Sequence, residues 1–113
     1  VSKESDALFD ERAQVAAEAK LADAMRLQRQ REMDDFKWLM GHKQGRRIMW
    51  RMLEMTGLHR TPHVLGASAE DNAFRAGLAN MGLILQAEIH TVCPEHFPTM
   101  TKEHLEWLSK IQQ

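Results

Sequence analysis

The chain has 113 residues, 43% hydrophobic and 27% charged, with a formal net charge of −1. That suits one modest globular domain rather than a disordered chain, and the near-neutral total selects neither nucleic acid nor a membrane as partner. The single cysteine, Cys93, excludes a disulfide framework within the chain and fits a reducing compartment.

Val1–Asp10 is polar and acidic and lacks the apolar core of a signal peptide. No stretch approaches the roughly 18 apolar residues of a membrane span, so a chain made in a cytoplasm is expected. Tyrosine is absent, valine and isoleucine are scarce, and alanine, leucine, methionine, glutamate and arginine abound. These residues lose least on entering a helix, and the fold class expected is all-α.

The first segment, about Ser5–Glu32, has no glycine or proline. Asp6, Asp10 and Glu11 lie near its start and Arg26, Arg29 and Arg31 near its end, an order that complements a helix dipole. Its large apolar residues are few: Leu8, Phe9, Val15, Leu21, Met25 and Leu27. Leu8, Val15 and Ala22 keep a seven-residue spacing, with Met25 beside them, but this stripe is too narrow to form much core. A long N-terminal helical arm is predicted, with Leu8, Val15 and Met25 as partner contacts; a solvated helix is the plainer alternative.

The rest predicts a small bundle of about four helices, so the chain divides into an arm, 1–32, and a compact domain, 33–113. Met33–Met40 follows with Asp34 or Asp35 as its cap, Phe36, Leu39 and Met40 as its apolar face, and Gly41 as its stop. Lys43–Met55 has Ile48, Met52 and Met55 on one face with Met49 and Leu53 beside them, and stops at Gly57. Leu58–Ala67 reads as a loop broken by Pro62 and Gly66.

Ser68 caps the next helix, with Asp71 as its capping-box partner. Phe74, Leu78, Met81, Leu85, Ile89 and Val92 then recur at helical spacing until Pro94. Gly77 and Gly82 inside this run suggest close approach of another helix or a ligand. The last helix is predicted after Pro98, capped by Thr101, with Leu105, Trp107, Leu108 and Ile111 on its apolar face. Most methionines on apolar faces, namely Met40, Met49, Met52, Met55 and Met81, are expected in the core.

Charge is unevenly spread. Residues 36–60 hold Lys37, Lys43, Arg46, Arg47, Arg51 and Arg60 against Glu54 alone, with Trp38 and Trp50 interleaved. Such a patch could meet phosphates through Arg46, Arg47 and Arg51. It is more simply matched to the acidic flanks of this chain or a neighbouring copy, since residues 1–35 and 61–113 each carry an excess of carboxylates. Trp38 and Trp107 are further candidates for partner anchors.

His90, Cys93 and His96 follow the pattern H-x2-C-x2-H, without the paired C-x2-C spacing of a zinc site. Packing of Cys93 as a small apolar residue is the favoured reading, with no metal or cofactor. Neither a zinc-protease helix, a nucleophile elbow nor a phosphate loop is present, so no catalytic residue is assigned and a non-enzymatic role is expected.

The stretches D-F-K-W-L-M (35–40), G-R-R-I-M-W-R-M-L-E (45–54), N-A-F (72–74), Gly77 and N-M-G-L (80–83) resemble a family of small tailed-phage proteins. That family is named after a Bordetella bacteriophage. The likeness continues through Cys93, Pro94, Phe97, Met100 and Glu103, and covers about residues 34–104. It implies a product of the phage head and assembly region with no enzymatic role. Taken with the polar arm and the lack of catalytic motifs, it leads to the expectation of a structural virion component near the portal or head–tail junction or inside the head, in multiple copies or as a homo-oligomer, bound to other virion proteins. An internal protein ejected with the genome and a DNA-binding or packaging accessory are the alternatives.

Overall fold

The computed structural model describes residues 3–113. Among them are four helices: α1 (Lys3–Met40), α2 (Lys43–Met55), α3 (Ala69–Val92) and α4 (His96–Ile111). The all-helical expectation holds. The chain divides into two compact units, one closing at Asp35 and the other running Phe36–Gln113.

The predicted arm and the short helix after it are one element, with no break near residue 33. Nothing between Arg31 and Asp35 interrupts a helix, and Asp34 does not cap one. Its carboxylate accepts instead from Gln30 Nε2, four residues earlier, at 3.0 Å. Every residue from 3 to 32 is exposed. The polar surface of this segment is tied locally, by Arg26 to Asp23 at 2.8 Å and by Gln28 to Glu32 at 3.3 Å. Exposed pairs of this kind add only about 0.2–0.5 kcal/mol each to a helix.

In the second unit, α2, α3 and α4 pack on one another, and Phe36, Leu39 and Met40 at the end of α1 join them. The buried core is Met40, Met49, Leu53, Ile89, Cys93 and Met100. Burying each larger side chain contributes about 1.5–3 kcal/mol.

Two glycines set how closely the elements meet. A Cβ on Gly45 would overlap the Leu39 carbonyl, so α2 lies directly on the last turn of α1. On Gly82 it would meet Thr56 Oγ1 and Leu58 Cβ, so α3 lies against the chain leaving α2. Gly77, by contrast, faces open space.

Gly45 also explains which face of α2 turns inward. Gly45, Met49 and Leu53 are buried at four-residue intervals, while Ile48, Met52 and Met55 stay exposed. Of the five methionines on apolar faces, most of them expected in the core, Met40 and Met49 are buried, and Met52, Met55 and Met81 are not. On α3 only the C-terminal half of the apolar stripe is covered: Ile89 is buried and Leu85 and Val92 pack on the core, while Phe74, Leu78 and Met81 remain exposed.

The α3 cap is as expected, with Ser68 Oγ accepting from the Asp71 amide at 3.1 Å. Asn72 closes the preceding loop: its Oδ1 accepts from the Val64 amide at 2.9 Å. The start of α4 differs from the expectation. It begins at His96, so Pro98 lies in its first turn, where a missing N–H costs nothing. Thr101 is no cap, since its hydroxyl donates back to the Phe97 carbonyl at 3.1 Å. The inward face of α4 is led by Met100, and Leu105, Trp107 and Ile111 are exposed.

Candidate partner-binding surface

Between α2 and α4 lies a groove of about 530 Å³. Its α2 wall carries Lys43, Arg47, Trp50 and Arg51, and its α4 wall carries His104, Trp107 and Lys110. Helical spacing produces this wall, because residues three and four apart on α2 share one side.

Arg46 holds the groove together. Its Nε donates to Glu103 of α4, and its Nη1 donates to the Met40 carbonyl at 2.9 Å. Both side chains of the ion pair are largely buried, at 14% and 19% exposure. One guanidinium thus ties α2 to α4 and to the last turn of α1. Arg46, a candidate for phosphate contact, is committed to its own fold. Arg47 and Arg51 are exposed on the groove wall.

Trp50 is fixed by a cluster. Its indole stacks on His104 with centroids 4.4 Å apart and on His59 at 5.5 Å. Its Nε1 donates to Glu54 at 2.8 Å, and His104 Nε2 stands 3.6 Å from the same carboxylate. The i, i+4 relation of Trp50 and Glu54 is legible in the sequence. The approach of His59 and His104 is not, because it depends on how the loop and α4 return to α2.

The candidate partner residues are all exposed: Leu8 56%, Val15 62%, Met25 65%, Trp38 68% and Trp107 60%. Trp107 lines the groove. Trp38 is elsewhere, its ring tilted on His42, whose Nδ1 donates to the Trp38 carbonyl at 2.6 Å.

The His90, Cys93, His96 pattern does not converge. Cys93 is buried, His90 leans on Phe97 with centroids 4.8 Å apart, and His96 faces Glu95. Among the described residues no group of three His, Cys, Asp or Glu is placed to hold a metal ion. Burial raises the Cys93 thiol above its ordinary pKa, the carboxylates of Glu95 and Glu88 add to this, and Lys37 partly opposes it. A thiol so shifted stays protonated and unreactive near neutral pH. None of the described helices is long and apolar enough to cross a membrane.

The family model of Bbp19-like phage proteins matches residues 36–102. This chain belongs to that family. The match opens at Phe36, where the second compact unit also begins, and it includes the buried core, Arg46, Trp50 and both close-packing glycines. The resemblance read from the sequence therefore holds at the level of the family. Neither a curated protein nor a solved structure matches the chain significantly.

Proposed function

We propose that this phage protein is a structural component of the tailed-phage particle, in the portal or head–tail region or inside the head. It acts by contact with other virion proteins, in many copies, and not by catalysis. One observation carries the reading. Residues 3–32 form helix without burying a single side chain, although Leu8, Phe9, Val15, Leu21, Met25 and Leu27 lie among them. Polar helices seldom persist without tertiary support, and apolar side chains left open along one are what a partner covers. Membership of a phage family supplies the context.

Mass spectrometry of purified mature particles tests it. Recovery of this chain in fixed proportion to the portal or another head protein is expected. Its absence from mature particles overturns the reading. Comparing full with emptied particles then distinguishes a permanent component from a protein ejected with the genome.

A second reading has its own support. Lys43, Arg47 and Arg51 are exposed on one side of α2, an arrangement that also suits phosphates. It predicts duplex or single-strand binding that weakens steeply with salt and is lost in the Arg47→Ala, Arg51→Ala double variant. Arg46 would contribute only through folding.

A further inference from the structure

Two faces of the chain are complementary in charge and in apolar content. On α2, Lys43, Arg47 and Arg51 stand at four-residue intervals along the groove, and Lys110 adds a cation from α4. Of the groove's carboxylates, Glu103 is neutralised by Arg46, while Glu54, which accepts from the Trp50 indole, and Glu106 keep their charge and are outnumbered by the four cations. Trp50 and Trp107 supply aromatic surface, and buried Met100 lies at the base.

On α1, Glu4, Glu11 and Glu18 recur every seven residues, and Leu8 and Val15 lie between them at the same spacing. At about 100° per residue these five side chains fall within a sector of about 80°. Lys3 and Arg12 fall outside it by the same geometry. All five are exposed.

We propose that this α1 face of one copy docks on the α2–α4 groove of a second copy. Glu11 and Glu18, about 10 Å apart along the helix, meet the Lys43, Arg47 and Arg51 row, which spans about 12 Å, and Leu8 and Val15 cover Trp50 and Trp107. Nucleic acid would engage the cations but gain nothing from the glutamate-flanked leucine and valine, which only the second copy brings. Because the two faces differ, the contact is heterologous. It closes reciprocally in a pair, each arm on the other copy's groove, or repeats head to tail into a ring or a chain. The inference deepens the assembly reading and rests on it for the presence of many copies.

The test is sedimentation of the full chain over a range of concentration and salt. Wild type is expected to associate at low salt and to dissociate towards roughly 0.5 M salt, where exposed charges are screened. Arg47→Glu with Arg51→Glu, and separately Glu11→Lys with Glu18→Lys, are each expected to weaken association at least about tenfold. All four positions are exposed, so the unfolding transition of residues 36–113 should be unchanged, and helical circular dichroism should fall only by what residues 3–32 lose when uncovered. Combining all four substitutions in one chain restores opposite charge and should restore association. A wild type that stays monomeric throughout overturns the proposal, as does association indifferent to both charge reversals or a combined variant that fails to recover. Loss of DNA binding, rather than of self-association, in the groove variant also overturns it and favours the nucleic-acid reading. If the chain is found in particles yet is monomeric when purified, the copy-to-copy contact falls while the virion role stands. If it associates but is absent from particles, the reverse holds.

Discussion

The two units of this chain obtain their order differently. In Phe36–Gln113, Met40, Met49, Leu53, Ile89, Cys93 and Met100 are buried together, and two glycines let the Leu39 backbone and the Thr56 and Leu58 side chains approach where a methyl group would not fit. In residues 3–32 nothing is buried, and side chains such as Arg26 and Asp23, or Gln28 and Glu32, pair with neighbours one helical turn away. The first kind of order is held by the chain's own buried contacts. The second is worth a few tenths of a kcal/mol per pair, so its persistence depends on what covers it. The family match follows the same division, since it begins at Phe36.

The sharpest way to break this contrast is to attack the core. Leu53→Ala should destabilise the chain by about 2–5 kcal/mol, read as a lower midpoint in denaturant unfolding. Gly45→Ala should follow, at about 1–3 kcal/mol or more, because the new methyl group meets the Leu39 backbone and not a movable side chain. Arg46→Met should cost about 1–3 kcal/mol, since Glu103 is left largely buried without its partner. Glu103→Gln in the same background should recover part of that loss.

Cys93 gives a pH-dependent version of the contrast. Its thiol pKa is raised in the folded chain, so the unfolded chain releases this proton first as pH rises. Its stabilising contribution is complete below the ordinary thiol pKa and is lost as pH climbs from there through the raised folded value. Native Cys93 should therefore resist alkylation at neutral pH, and unfolding should expose it. Fast labelling of the native chain at neutral pH would contradict its burial. The smallest effect is expected in the first unit: Leu8→Ser with Val15→Ser should change the stability of the dilute chain by less than about 0.5 kcal/mol.

Local spacing made the helices legible, and with them the Ser68 cap and the exposure of Leu8, Val15 and Met25. What escaped was set by tertiary contact. The amphipathic pattern of α2 offers two adjacent apolar faces, and only the approach at Gly45 selects Met49 and Leu53 over Ile48, Met52 and Met55. A proline in a first turn looks like a terminator when the turn before it is not counted, which displaced the start of α4 from His96. The groove was half visible: Arg47, Arg51 and Trp107 stand out by type, but pairing Arg46 with Glu103 links residues 57 apart in sequence.

Hydrogen exchange on the full chain, dilute and then within purified phage particles, tests the central claim most directly. Amides around Met49–Leu53 and Ile89–Met100 should be protected in both states. Those of residues 3–32 should exchange quickly when dilute and slowly in the particle. Core-like protection of 3–32 in the dilute monomer, or none inside the particle, would contradict the claim that this helix is completed by a partner.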